Sequence, residues 1–126
     1  MKEFDELLTL LHKLRGPDGC AWDKKQTIES FAPHLMAEAK EVEEAVAAQD
    51  WKGLQEELGD LLYNILQLSA IAEEQGHFDL AAVLNSVHEK ITRRHPHVFD
   101  PKQRHLNDPE TIERRWKEIK EEEKRK

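Results

Sequence analysis

Two successive stretches of the chain repeat one pattern: a pair of carboxylates three residues apart, set beside an apolar stripe at helical spacing. Glu38 and Glu41 border Leu35, Ala39, Val42 and Val46, and Glu57 and Asp60 border Leu58, Leu61, Ile65, Leu68 and Ala72. With Glu38 at 0° and about 100° per residue, its stripe falls at roughly 40–100° and Glu41 at about 300°. With Glu57 at 0° the second stripe falls at roughly 20–100° and Asp60 again at about 300°. A short turn around Gln49-Asp50 joins the stretches, so they should pack antiparallel through their stripes and bring both acidic pairs to one seam. Like charges at this spacing repel by about 0.2–0.5 kcal/mol in an isolated helix, and two pairs at one seam repel more unless a cation lies between them. With 26 Asp and Glu among 126 residues, a solvated acidic face explains either pair alone. It does not explain the repetition.

The rest of the chain is also helical in pattern. Phe4, Leu7, Leu8, Leu11 and Leu14 mark an amphipathic helix over Glu3 to Leu14, stopped by Gly16-Pro17. Gly16 to Thr27 has turn chemistry and no apolar period, which predicts a loop. Its Trp22 either closes over the core or offers a flat ring for stacking on a ligand base. Thr27 or Ser30 can cap the second helix and Asp50 the third, which stops at Gly76. Leu62, Leu66 and Ile71 make that third helix apolar beyond one stripe, so it should be buried on more than one side, as in a bundle shared by two copies of the chain. Asp79 can cap a fourth helix running to Arg94, whose closing Lys90, Arg93 and Arg94 either complement the helix dipole or bind phosphates. His95 to Pro101 reads as a rigid extended segment. Asp108 caps a last charged helix in which Trp116 is a packing anchor or reaches the site, and Lys120 to Lys126 should be a solvated, fraying end.

Composition narrows the function. A net charge of -7 disfavours nucleic-acid or acidic-membrane binding as the main activity, because phosphate backbones require a positive footprint. Cys20 is the only cysteine, so no intrachain disulfide forms and a structural zinc site is disfavoured. No apolar run reaches membrane-spanning length and the amphipathic N-terminus is no signal peptide, so the expected location is the cytoplasm. The length suits one domain over residues 1–126.

Several motifs together resemble a known family. Gly19-Cys-Ala-Trp-Asp-Lys-Lys-Gln-Thr27, the pairs Glu38/Glu41 and Glu57-Leu-Gly-Asp60-Leu-Leu, Arg93-Arg-His-Pro-His-Val-Phe99 and Arg115-Trp-Lys-Glu-Ile119 look like a MazG nucleoside triphosphate pyrophosphohydrolase, in order and over nearly the whole chain. The resemblance implies an all-α fold of about five helices, with a four-helix-bundle core completed by homo-oligomerisation as a homodimer or dimer of dimers. It implies a nucleoside triphosphate substrate cleaved to the monophosphate and pyrophosphate, and Mg2+, with Mn2+ as a substitute, held by Glu38, Glu41, Glu57 and Asp60. Lys90 and Arg94 map to phosphate-binding positions and Trp116 to the aromatic near the C-terminus; Trp22 and Asn64 complete the expected substrate contacts. Either Glu38 or Glu41 would serve as general base. The first Glu of the family's Glu-Glu-x-x-Glu is Ala37 here, a departure that suggests, as an alternative, an impaired relative that binds nucleotides without efficient turnover.

Overall fold

The computed structural model describes residues 1–126. The chain is all-helical and divides into two compact units, Met1–Leu80 and Ala81–Lys126. No helix is long and apolar enough to cross a membrane.

The first unit contains α1 (Lys2–Arg15), α2 (Ala21–Lys25), α3 (Ile28–Ala47) and α4 (Trp51–Glu74). Thr27 caps α3 through a reciprocal box with Ser30, each side chain bonding the other residue's backbone N–H; Pro33 sits in the second turn without breaking the helix. Asp50 caps α4 by accepting from the Gly53 N–H at 3.0 Å. Between them the chain turns through Ala48 and Gln49. The Gln49 N–H bonds to the Val46 carbonyl and the Asp50 N–H to the Ala45 carbonyl, the Schellman pattern, with Gln49 in the left-handed region at φ 54. α4 ends in the same way, with Gly76 at φ 79 in the corresponding place. This tight connection makes α3 and α4 antiparallel neighbours packed along their length.

The core of this unit is Leu11, Phe31, Ala45, Leu66, Ile71 and Ala72, and full burial of each larger side chain contributes about 1.5–3 kcal/mol. The sequence places Leu66 and Ile71 outside the main stripe of α4, yet they are buried, while stripe residues Leu58 and Ile65 are 51% and 40% exposed. Leu62, Met36 and Val46 are exposed as well. α4 therefore spends one apolar side within the chain and leaves another uncovered.

Two readings of irregular backbone change. The segment from Gly16 to Thr27 is not wholly a loop, because α2 forms inside it. Its five residues lack apolar periodicity because none is buried. The chain enters it through a close approach at Gly19, where a Cβ would lie 2.0 Å from the Leu14 carbonyl oxygen, and the Cys20 N–H bonds to that same carbonyl at 2.7 Å.

The second unit holds α5 from Ala81 onward (the helix spans Leu80–Arg93), α6 (Pro96–Phe99), a 3-10 helix (Pro101–Leu106) and α7 (Pro109–Lys124). The expected extended segment from His95 to Pro101 is helical instead. Pro96 and Pro101 each open a helical turn, a position where the missing N–H is no loss and the fixed φ is already suitable. Asp100 accepts from the Lys102 N–H and from Gln103 Nε2, both at 3.0 Å. His97 and Ile119 are buried. The end is solvated as expected, exposed from Lys120 to Lys126 except at Glu123; α7 continues to Lys124, and the half-buried Glu123 receives Arg93 Nε at 2.7 Å and Arg94 Nη2 at 2.8 Å.

Candidate metal and nucleotide site

Antiparallel packing of α3 on α4 brings Glu38, Glu41 and Glu57 together, with one carboxylate oxygen from each within 4.8 Å of the others. Glu38 and Glu57 are half-buried and Glu41 is exposed. Asp60 stands outside this group of three but is close enough for its charge to act on Glu38. The sequence pattern thus finds its seam, with three carboxylates convergent and the fourth beside them. A hollow of about 340 Å³ lined by Glu41, Glu44, Ala45, Ala48, Asp50, Gly53 and Glu57 adjoins the cluster.

The carboxyl groups disturb one another. Hydrogen bonds shared with Glu41 and then Glu38, together with burial, push the Glu57 carboxyl up to about 7. Glu38 is also raised, first by burial and then by the charges of Glu41 and Asp60, against a lowering hydrogen bond from Glu57. One oxygen each of Glu38 and Glu57 is buried with no hydrogen-bond partner. Covered carboxylate oxygens without donors are costly. An all-oxygen, anionic donor set of this kind fits a hard divalent cation such as Mg2+ or Mn2+, which would satisfy both orphan atoms and replace the shared protons.

The other expected residues fall into the two units. Trp22 is half-exposed at the tip of α2, edge-on to His34 at 5.7 Å and to Phe31 at 6.5 Å between ring centroids. It neither closes into the core nor stands free of it. Asn64 of α4 donates to the His34 carbonyl at 3.3 Å, which links that aromatic group to the helix bearing Glu57. His34 lies one helical turn before Glu38 on α3, so Trp22, Asn64 and the carboxylates belong to one region of the first unit. In the second unit Lys90 is exposed on α5. Arg94 is paired with Glu123 through Nε and Nη2. Trp116 is 42% exposed, with Lys120 Nζ 5.3 Å from its ring centroid, and Ile119 is the buried residue of α7.

Sequence reasoning missed two polar assemblies. One is the Arg93–Glu123–Arg94 group, hidden because a lone Glu in an acidic run carries no periodic signal. The other lies under α2, where Gln67, fully buried, donates Nε2 to Asp23 Oδ1 at 3.1 Å, and Arg15 donates Nη1 to the Asp23 carbonyl. Arg15 also grips both oxygens of Glu74 at 2.6 and 2.9 Å. The available signal was the polar Gln67 inside the apolar run Leu66 to Leu68.

Comparison with known proteins places these features in a family. The model of the MazG nucleotide pyrophosphohydrolase domain matches residues 26–99. A nucleoside triphosphate pyrophosphohydrolase of Escherichia coli K12 is 41% identical over 125 residues, which cover 98% of this chain and 47% of that protein. The nucleoside triphosphate pyrophosphohydrolase/pyrophosphatase MazG of Thermotoga maritima is 41% identical over 123 residues, 98% of this chain and 46% of that protein. The chain therefore spans about half the length of these two relatives. A crystal structure of a mazG-related protein from Thermotoga maritima superposes with a TM-score of 0.77 at 36% identity, covering 93% of this chain and 98% of that one.

Proposed function

Because the chain belongs to the MazG nucleotide pyrophosphohydrolase family, we propose that it hydrolyses nucleoside triphosphates to the monophosphate and pyrophosphate in a Mg2+-dependent reaction, with Mn2+ as a substitute. The observation that carries this reading is the convergence of Glu38, Glu41 and Glu57 with two buried, unpartnered carboxylate oxygens. Glu38, Glu41, Glu57 and Asp60 would hold the cation. When bound, a divalent ion neutralises triphosphate charge and favours ionisation of an attacking water.

The remaining roles belong to the chain. Glu38 or Glu41 accepts a proton from the water that attacks the α-phosphorus, and the exposed Glu41 is the more accessible of the two. Trp22 stacks on the nucleobase and Asn64 supports that end of the substrate. Lys90 and Arg94 counter the charge of the pyrophosphate leaving group, and Trp116 is a further substrate contact, the roles that the family implies for these positions. Residues 1–126 act as one domain, a reading supported by the family match running across both compact units. The uncovered Leu58, Leu62 and Ile65 support a homodimer or dimer of dimers in which helices of two copies complete a four-helix bundle. The physiological role fits nucleotide-pool housekeeping in the cytoplasm.

Ala37 favours a second reading, in which the protein binds nucleotides but turns them over poorly. Ala37 is exposed on α3 beside Glu38, where the family's additional Glu would add a third carboxylate to Glu38 and Glu41 on the same helix. A product-resolved assay over ordinary and modified nucleoside triphosphates with Mg2+ separates the two. Monophosphate and pyrophosphate are expected; Mg2+-dependent binding by calorimetry with no product supports the second reading, and diphosphate with inorganic phosphate contradicts both.

A further inference from the structure

We propose that Gln67 and Arg15 are positioning residues for the nucleoside end of the substrate: together they clamp Asp23 and so hold α2 with Trp22 presented beside α3. This inference rests on the reading of Trp22 as a base-stacking residue.

A helix of five residues does not stand by itself, because the cost of nucleation exceeds what one turn returns. α2 also lacks the usual supports. Its N-cap Cys20 makes no side-chain capping bond, and none of its residues is buried. Apart from the Trp22 ring set edge-on to Phe31 and His34, what fixes it is polar. Arg15 takes the Asp23 carbonyl, Gln67 takes the Asp23 carboxylate, and Lys24 Nζ reaches back to the Pro17 carbonyl at 3.3 Å. The first two are the buried ones: the Arg15 side chain is 5% exposed and Gln67 is 0% exposed. Asp23 directly follows Trp22, so a bond to its backbone and another to its side chain restrict both the place and the rotation of the turn carrying the indole.

The energetics of Gln67 point the same way. Its amide nitrogen is used on Asp23, but its Oε1 is buried with no partner, as is the hydroxyl of Tyr63 one turn earlier on α4. A buried amide with one unsatisfied end is a poor stabiliser, and an apolar side chain of similar volume would pack there without that penalty. The bond to Asp23 is what the amide supplies and an apolar residue cannot. Arg15 is anchored for the same task by its two bonds to Glu74, which fix the guanidinium so that its remaining Nη1 meets the Asp23 carbonyl.

The test uses the full chain with all three tryptophans kept and labelled as 5-fluorotryptophan, the Trp22 19F resonance being assigned by its loss in Trp22→Phe, in the presence of Mg2+. Affinity is measured for a nucleoside triphosphate and for inorganic tripolyphosphate, which carries the phosphates without a base. Gln67→Met is expected to keep or raise Tm, narrow the Trp22 19F resonance as the ring gains mobility, and weaken nucleoside triphosphate binding by about five- to tenfold, with tripolyphosphate affinity within about twofold. Asp23→Ala, which removes the same bond from the α2 side, should show the same selective loss. The two losses should not add in the double variant, and Asp23→Asn should restore much of the affinity because its amide oxygen still accepts. Equal losses for both probes, or no loss of nucleotide affinity in either single variant, overturn the proposal. If the parent binds nucleotide with the expected selectivity but forms no pyrophosphate, the hydrolytic reading fails while the clamp stands; if the parent binds nucleotide no better than tripolyphosphate, the clamp has no nucleoside to position and the proposal falls.

Discussion

The charge state of Glu57 sets the behaviour of the site at the scale of single residues. Its folded-state pKa of about 7 lies above the ordinary 4.5, so the folded protein keeps a proton that the unfolded chain has released. Stability from this group is fully present below the unfolded value and is lost as pH rises through about 7. In EDTA, Tm should therefore fall more steeply between about pH 5 and 8 for the wild type than for Glu57→Gln. Mg2+ competes with that proton, so it should raise Tm more at pH 8 than at about pH 5.5. Equal Mg2+ effects at both pH values would count against a cation at this seam. Glu123 has the opposite sign. Arg94 and Arg93 hold its carboxyl down to about 2, so its contribution is present above 4.5 and is lost as pH falls toward 2. Chemical denaturation of Glu123→Gln should show a deficit at pH 7 that shrinks as pH is lowered through this range. The carboxylates were legible in the sequence because helical geometry alone brings i and i+3 to one face. The partner of Arg94 was not, since the pairing of residues about thirty apart depends on how separate helices meet.

The two Schellman turns offer an internal comparison at the scale of elements. Gly76 adopts its positive φ freely, whereas Gln49 holds φ 54 with a side chain in place. A left-handed backbone costs an ordinary residue about 1–2 kcal/mol. Gln49→Gly should accordingly stabilise the α3–α4 hairpin by about 0.5–1 kcal/mol, somewhat less than the relief of strain because glycine also loosens the unfolded chain, and this is read as a rise in the denaturation midpoint. The five long helices follow from apolar period, caps and breakers, and Thr27, Asp50 and Asp108 cap where their positions suggest. The short ones do not. α2 is held by Asp23 contacts from α1 and α4, and α6 by a proline whose neighbour could equally be extended. Local propensity is silent where a turn is fixed by distant groups. Gly19→Ala tests this directly. A Cβ 2.0 Å from the Leu14 oxygen must push α2 away, at a cost of about 1–3 kcal/mol, with Trp22 emission shifted to the red.

At the scale of the whole molecule, the division of α4's apolar surface decides what the chain does next. Leu66, Ile71 and Ala72 serve its own core, while Leu58, Leu62 and Ile65 remain uncovered at 40–51% exposure. The sequence signalled a helix apolar on more than one side but could not say which side the chain itself would use, because α1 and α3 settle that only once they dock. Leu62→Glu should convert the oligomer expected in analytical ultracentrifugation to a monomer; a wild type that is monomeric at all concentrations would contradict a shared bundle. The family and the meeting of Glu38, Glu41 and Glu57 at one seam were legible in the residue pattern, whereas the placement of Trp22 was not. Turnover in 18O-labelled water, comparing the wild type with Glu57→Ala in Mg2+, is the most direct examination of the seam as a pyrophosphohydrolase centre. The label should enter the nucleoside monophosphate and not the pyrophosphate, and the variant should lose turnover. Label in the pyrophosphate, or undiminished turnover without Glu57, would contradict it.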